Sequence, residues 1–290
     1  MDRLNPFSRR ESRTRSELAT YRVLTLASWA LSVAVSVYYS VRSPHGWGHN
    51  AHRIARQNHL HPSAFSLNMV IVYVYFVSLF VSQAGYLGHL FASAHQSERV
   101  NAAVAVGSHF IVNNVFHAVF VLLFVSGHFF WAEVVLLLNF VNLTSLYFRH
   151  PSASHPRGLV HTPTVAGPLA WTFVAIYWNG AIMVPHAHSL AMRILANVFV
   201  WAILAYGLFY IMVYADYSMG FALSILAAAL GAGQFLRQFI ALQWIFAFIV
   251  MSVLFLATVA VALPVWTGRQ QSALVIPRDS ERAPLLDEPQ

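Results

Sequence analysis

Histidine is the residue type of this 290-residue chain with the clearest capacity for chemistry: it occurs fifteen times, and imidazole binds metals and transfers protons. His45, His49 and His52 have a spacing that would place them on one face of a helix. His59 and His61 follow shortly after. Imidazole clusters of this kind predict a zinc or copper site, as in a metal-dependent membrane enzyme that acts on lipid. No HExxH or HxxHH pattern is present, and loose spacing of this kind favours no bound metal. The sequence requires no cofactor.

A second group of candidate residues lies in the apolar stretch PLAWTFVAIYWNGAIMV, residues 168–184. On a helix, Trp171, Ala175 and Trp178 share one face, and Asn179 lies on a neighbouring stripe. A carboxamide in hydrocarbon needs a hydrogen-bond partner, so we expect Asn179 to face other helices. Two interpretations remain open. The indoles form the aromatic wall of a ligand cavity with Asn179 as its polar group, or they fill space in ordinary packing.

Composition indicates that membrane helices position these residues. The chain is 58% hydrophobic and 9% charged, with a mean hydropathy of +0.59, whereas soluble domains carry about 25% charged residues. Long apolar runs recur, which is typical of a multi-pass protein in a lipid bilayer. The absence of cysteine excludes disulfides, thiolate metal sites and a cysteine nucleophile. Most arginines flank the apolar runs or lie in the N-terminal tail, so the net charge of +7 does not indicate a nucleic-acid partner.

The apolar runs predict an all-α fold, a polytopic membrane bundle of about eight transmembrane helices. With a length of roughly 20 residues as the guide, the predicted spans are 21–41, 63–91, 100–126, 129–148, 162–184, 189–214, 217–234 and 238–266. If the last two form one broken element, the count falls to seven. The predicted domains are a disordered cytosolic tail over 1–20, the helix bundle over 21–266, and a second disordered cytosolic tail over 267–290.

The arginine distribution predicts the orientation of the bundle. With eight spans and a cytosolic N-terminus, most arginines lie on the cytosolic side, which favours both termini in the cytosol. The arginines on the opposite side are Arg42, Arg53, Arg56, Arg193 and Arg237. Of these, Arg53 and Arg56 fit the assignment least well. A short interfacial helix within GHNAHRIARQNHL accounts for them without inverting the topology.

Acidic and small residues within the spans suggest further roles. Glu133 is the one carboxylate inside a predicted span, and Asp216 lies at a span end. An intramembrane acid is a functional candidate, although Glu133 is also close enough to the interface to be solvated. Small residues recur at every fourth position from Gly220 to Ala232, which predicts close helix contact. This ridge supports an alternative role as a structural subunit of a membrane complex.

The order of several segments is distinctive: HPSAFSLNMVIVYVYF, NNVFHAVFVLLF, AEVVLLLNFVNLTSLYFRH, PLAWTFVAIYWNGAI and ADYSMGFALSILAAALGAGQ. Together they resemble a fungal family of uncharacterised multi-pass membrane proteins. That family is in turn distantly similar to the tryptophan-rich sensory, or translocator-protein-like, group. In that group three motifs line a helix bundle reported to bind porphyrins and sterols. The resemblance covers roughly residues 21–234 and implies a helical bundle with a hydrophobic ligand site.

The three motifs of the translocator-like group are matched unequally. The W-x-x-x-A-x-x-x-N motif is complete in the stretch 168–184. In the F-S-x-W motif, Asn68 takes the place of tryptophan, and in the N-x-x-W motif Phe116 does so. Together with the apolar stretch, these matches predict a ligand site formed by Trp171, Ala175, Trp178, Asn179, Phe65, Asn68, Asn113 and Phe116.

The C-terminal tail contains a candidate sorting signal. Glu281, Leu285 and Leu286 form the acidic dileucine pattern ExxxLL, which cytosolic sorting adaptors bind. It predicts a vacuolar or endosomal membrane. A mitochondrial membrane is less favoured, because acidic residues in the N-terminal tail are unusual for a presequence.

The residues together favour a non-enzymatic role in the lipid bilayer: binding, sensing or carrying a hydrophobic ligand such as a sterol, another lipid or a porphyrin. The His-dependent metal enzyme and the structural subunit remain the alternatives.

Overall fold

The computed structural model describes residues 15–44, 51–92, 98–149, 158–185, 189–237 and 242–267. All regular secondary structure in these ranges is helical, which confirms the predicted fold class. The helices are α1 (Arg15–Val41), α2 (Ile54–Leu60), α3 (Met69–Ala92), α4 (Glu98–Val125), α5 (Phe129–Arg149), α6 (Gly158–His161), α7 (Gly167–Ile182), α8 (Leu190–Phe199), α9 (Trp201–Tyr214), α10 (Tyr217–Arg237) and α11 (Gln243–Trp266). A π-helical segment, Thr162–Ala166, joins α6 to α7.

The described residues contain seven helices that are long and apolar enough to cross a membrane, with α8 and α9 counted as one. These helices make the protein an integral membrane protein. The fifth predicted span, 162–184, is not among these seven; it corresponds to α6, the π-helical segment and α7, whose regular pieces are individually short. The last two predicted spans are separate helices, α10 and α11, which pack against each other. These two spans therefore do not form one broken element.

Helix α10 lies near the centre of the bundle, and its small residues let neighbouring backbones approach closely. It contacts α3, α7, α9 and α11. A Cβ added at Gly220 would collide with the Thr258 side chain of α11. The predicted close helix contact along this ridge is therefore present at its first member. Close approach of this kind compensates for the missing hydrophobic force between helices in lipid.

Two prolines shape the wide turn before α7. In π-helical geometry the carbonyl of Pro163 would accept from residue 168, which is a proline without an N–H group. Helix α3 supplies donors instead. The side chain of Gln83 donates to the Pro163 carbonyl at 3.1 Å, and the Tyr75 hydroxyl donates to the Gly167 carbonyl at 2.7 Å. These bonds satisfy backbone groups that lipid could not.

The prediction of a continuous span over 63–91 was wrong at its start. Helix α3 begins at Met69, and residues 61–68 form an irregular segment, here called the inserted segment, which carries buried side chains such as Leu67. Asn68 ends this segment and caps α3, because its Oδ1 accepts from the backbone N–H of Val70 at 3.0 Å. Short apolar runs do not distinguish a helix from buried coil, so the pattern alone indicated a longer helix.

Helix α10 satisfies the backbone of the inserted segment. The side chain of Gln234 donates to the carbonyls of Ser63 at 3.0 Å and Ser66 at 3.1 Å. The N–H of Asn68 donates to the Ala229 carbonyl at 2.8 Å. Irregular backbone at the end of a membrane bundle is tolerated only when it is buried in protein and hydrogen-bonded, as it is here.

Candidate ligand-binding site

A cavity of about 200 Å³, here called the lateral cavity, lies between α1, α3 and α4 against the indoles of α7. It lies at the end of the bundle where α1 and α4 end and α3 begins. Its lining is almost wholly apolar and consists of Ser36, Val37, Ser40, Val41, Ile54, Met69, Val72, Tyr73, Phe76, Val77, Phe80, His117, Phe120, Val121, Phe124, Trp171 and Trp178.

Aromatic contacts hold one wall of the lateral cavity in place. The Trp178 ring lies 4.5 Å from the Phe124 ring between centroids. The Trp171 ring lies 4.7 Å from that of Phe76 and 5.8 Å from that of Trp178. Edge-to-face and tilted pairs at these distances add about 0.5–1.5 kcal/mol each beyond burial. The wall is therefore formed before a ligand arrives.

The serine and histidine side chains of the lining are hydrogen-bonded within the protein, whereas Trp171 Nε1 and the Tyr73 hydroxyl have no hydrogen-bond partner among the described residues. Ser36 Oγ and His117 Nε2 lie 3.1 Å apart. The Ser40 hydroxyl donates to the Ser36 carbonyl at 2.6 Å, and the Tyr73 hydroxyl faces the Ser40 side chain. The surface that remains for a ligand is chiefly hydrocarbon.

The lateral cavity opens sideways, towards the surface that lipid covers. Val37 and Val41 of α1 and Val77 of α3 line it, and these three side chains are 56%, 69% and 63% exposed. Helix α1 packs mainly on α4 and makes few contacts with α3. A hydrophobic molecule can therefore reach the cavity from the bilayer without crossing water.

The indole of Trp178 also has a structural role. Its Nε1–H donates to Asn58 Oδ1 at 2.9 Å, and the Asn58 side-chain amide donates to the Leu67 carbonyl at 2.9 Å. Arg237 donates to the Asn58 carbonyl at 2.6 Å. Asn58 thus ties α7 and α10 to the inserted segment. Trp171 lacks such a bond, since its Nε1 is buried without a partner.

The carboxamide of Asn179 faces other helices, as the burial argument predicts. It donates to the Phe129 carbonyl at 2.8 Å and to Glu133 Oε2 at 2.9 Å. Both partners belong to α5, so Asn179 links α7 to α5. The structure does not place Asn179 or the buried Ala175 in the lining of the lateral cavity.

The remaining predicted ligand residues are dispersed. The Phe65 ring packs against Tyr177 at 5.2 Å, and Asn68 caps α3. Asn113 Oδ1 accepts from the side chain of Asn139 at 3.0 Å, which links α4 to α5. Phe116 is half-buried and does not line the lateral cavity. Of the eight predicted residues, the structure brings only Trp171 and Trp178 together at this cavity.

Only part of the predicted histidine cluster, His52, His59 and His61, lies within the described residues. His45 and His49 lie outside the described residues, as do Glu281, Leu285 and Leu286 of the sorting signal. The His61 ring packs on Phe129 at 4.8 Å. Within the described ranges, no three His, Asp or Glu side chains are grouped so that they could hold a metal ion.

A buried polar cluster lies at the opposite end of the bundle. Asp216 Oδ2 lies 2.8 Å from His161 Nε2 and accepts from the Tyr147 hydroxyl at 3.0 Å. Its Oδ1 accepts from the Met219 N–H at 3.1 Å, which caps α10. Burial by itself raises the pKa of this carboxyl, but the hydrogen bonds and charge of His161, with the other donors, outweigh it and lower the pKa below its ordinary value.

Sequence reasoning missed the α1, α3 and α4 walls of the lateral cavity. One local signal was present, because His117, Phe120 and Phe124 recur at helical spacing on α4. The serines of α1 carried no such signal, since serine in a membrane helix usually bonds to its own backbone.

The fold defines a polytopic membrane protein, and its described part contains a hydrophobic cavity that opens towards lipid. Comparison with known proteins adds a family match over part of the chain. Residues 193–286 match the model of a family described as a fungal protein of unknown function (DUF1774). No curated protein and no solved structure matches the chain. The more distant likeness to the translocator-like group stays a prediction.

Proposed function

We propose that the protein binds a hydrophobic ligand from the bilayer in the lateral cavity, and senses or carries that ligand without chemically altering it. The observation that supports the proposal is a preformed apolar cavity, open towards lipid, with two indoles in its wall. Ligand sites typically combine such apolar walls with few polar groups.

The cavity volume favours a slender ligand. About 200 Å³ lies below the roughly 300–1,000 Å³ that sites for whole small molecules occupy. The cavity therefore suits part of a lipid, while the rest of the molecule stays in the bilayer. Among the ligand classes considered, an acyl lipid or one end of a sterol fits better than a porphyrin ring.

Tryptophan fluorescence tests the proposal on detergent-purified protein. Titration with an acyl lipid, a sterol and haem should give saturable quenching for at least one of them, after correction for haem absorbance. Trp171→Phe should weaken the quenching and lower affinity about fivefold, since roughly 1 kcal/mol of apolar contact is lost. Trp171 is preferred to Trp178, whose replacement also breaks the bond to Asn58.

Trp201→Phe is the matched control. The Trp201 ring packs on Phe246 at 5.4 Å and does not line the lateral cavity, so this variant should titrate like the wild type. A flat titration of folded wild-type protein with all three ligands would contradict the proposal and leave the indoles as packing residues.

We also propose that the C-terminal tail directs the protein to a vacuolar or endosomal membrane through Glu281, Leu285 and Leu286. The support is the ExxxLL pattern and the arginine bias, which predicts a cytosolic tail. Leu285→Ala with Leu286→Ala should move a tagged copy away from that membrane, as seen by fluorescence microscopy. Pro284→Ala is the control, because it leaves the pattern intact. Unchanged localisation of the dileucine variant would refute this assignment.

A further inference from the structure

We propose that the ligand is an anionic acyl lipid: its chain fills the lateral cavity, and its oxyanion headgroup binds Arg42 and Arg53 at the cavity mouth. This inference rests on the proposed function and names the chemical class of its ligand.

The lining of the lateral cavity selects hydrocarbon rather than a polar group. The side chains of Ser36, Ser40 and His117 take part in hydrogen bonds within the protein. Among the remaining lining side chains, only the Trp171 Nε1–H and the Tyr73 hydroxyl lack partners within the described part of the chain, so a ligand with several polar atoms would lose more bonds to water than it could regain. An acyl chain has no such atom, and its headgroup stays outside the cavity.

Arginines lie where that headgroup would emerge. Arg42 directly follows the lining residue Val41, and Arg53 directly precedes the lining residue Ile54. The backbone N–H of Arg53 donates to Ser43 Oγ at 3.3 Å, which holds the start of α2 beside the end of α1. Arg53 also lies within electrostatic range of Tyr73 in the cavity wall. The backbone therefore places both arginines directly beside lining residues of the same cavity.

Both arginines are exposed, and neither forms an ion pair in the described part of the chain. The guanidinium of Arg42 lies over the Tyr38 ring, 5.9 Å from its centroid. Acidic residues are distributed unevenly between the two ends of the bundle. Glu17, Glu98 and Asp216 lie at the end opposite the cavity. At the cavity end Glu133 is bonded to Asn179.

An oxyanion headgroup supplies the missing negative charge. The planar guanidinium fork binds carboxylate and phosphate oxygens through paired hydrogen bonds. The positive-inside bias predicts the side of the bundle where Arg42 and Arg53 lie to be the arginine-poor one. The interfacial helix α2 explains how Arg53 can lie there, but it does not require a positive charge at the cavity mouth. Binding of an anionic lipid gives both arginines a function in the place where they occur.

Brominated lipids test the inference, because bromine on an acyl chain quenches an indole only at close range. Full-length protein in detergent is titrated with phosphatidic acid and with phosphatidylcholine that carry identical brominated chains. We expect saturable quenching by both, with phosphatidic acid binding about thirtyfold more tightly, as two arginines near a membrane surface would produce. The quenching should shrink in Trp171→Phe, which locates the chain in the lateral cavity.

The double variant Arg42→Gln with Arg53→Gln should lose most of this preference while it still binds phosphatidylcholine like the wild type. Arg193→Gln is the matched control, since Arg193 is exposed on α8 and away from the lateral cavity. Added salt provides a second measurement that needs no variant. It should weaken binding of phosphatidic acid and leave that of phosphatidylcholine nearly unchanged.

The possible outcomes distinguish a failure of the anionic ligand class from a failure of the proposed function. Equal, Trp171-dependent quenching by both lipids would overturn the anionic class and leave the proposed function standing. A preference that survives in the double variant would overturn the assignment to Arg42 and Arg53. Displacement of phosphatidic acid by millimolar inorganic phosphate would indicate a site for the free anion instead of the lipid. No saturable quenching by either lipid would count against the proposed function as well.

Discussion

Gly233→Ala is expected to destabilise the protein by about 3 kcal/mol, near the upper end of the usual cost of overpacking a core. A Cβ at this position would lie 2.5 Å from the Ser66 carbonyl oxygen and 2.8 Å from the Asn68 backbone nitrogen. Both atoms belong to the backbone of the inserted segment, so no side-chain rotation relieves the collision. Either the inserted segment or α10 has to move.

Movement of the inserted segment or of α10 would break the hydrogen bonds between them. The neighbouring Gln234 side chain donates to two carbonyls of the inserted segment, and the Asn68 N–H donates to the Ala229 carbonyl. Buried polar groups left without partners cost about 1–3 kcal/mol each. The inserted segment also leads into Met69, which lines the lateral cavity, so ligand quenching should weaken in the same variant.

Thermal unfolding in detergent measures the effect, which should appear as a fall of roughly 6–10 °C in the unfolding midpoint. Gly85→Ala is the matched control, because a Cβ there meets nothing within 4 Å and alanine favours a helix over glycine. That variant should unfold at the wild-type temperature or slightly above. Equal midpoints for Gly233→Ala and Gly85→Ala would show that the inserted segment does not pack on α10 as described.

Asp216→Ala is expected to lower the free energy of unfolding by a comparable amount, about 3–5 kcal/mol, because several buried donors lose their acceptor at about 1–3 kcal/mol each. Asp216 is only 3% exposed. Its loss leaves His161, the Tyr147 hydroxyl and the Met219 N–H without their shared acceptor. It also removes the cap of α10, the helix at the centre of the bundle.

Graded variants separate the charge from the shape of this side chain. Asp216→Asn keeps an oxygen that can still accept from Met219, so it should cost less than Asp216→Ala. Tyr147→Phe removes one neutral donor and should cost about 1 kcal/mol. Ser78→Ala on the exposed face of α3 is the control and should cost nothing measurable. An Asp216→Ala variant as stable as this control would refute a structural role for the cluster.

The pH dependence of the Asp216 contribution follows from the direction of its pKa shift. The folded-state pKa is lowered, so it lies below the unfolded value of about 3.9. The stabilisation by this carboxylate is fully present above that unfolded value and is lost as the pH falls through the folded-state pKa. The difference in unfolding midpoint between wild type and Asp216→Ala should therefore narrow as the pH falls through the folded-state pKa.

The sequence by itself determined the class of protein, because composition and run length are sufficient for that purpose. A chain this apolar can bury its surface only in lipid, and runs of about twenty apolar residues match the thickness of a bilayer. The sequence also predicted that the buried carboxamide of Asn179 needs a hydrogen-bond partner on another helix, and Asn179 does bond to α5. These inferences hold for any arrangement of the helices.

Only the tertiary structure decided which residues meet. Trp178 bonds to Asn58, which lies 120 positions away in the sequence, and the lateral cavity joins α1 to α7 through residues of α3 and α4. The change from coil to helix at Asn68 depends on hydrogen bonds with α10, so periodicity within residues 63–91 could not reveal it. Helix periodicity specifies the face on which a residue lies, and the neighbour across that face is specified by packing.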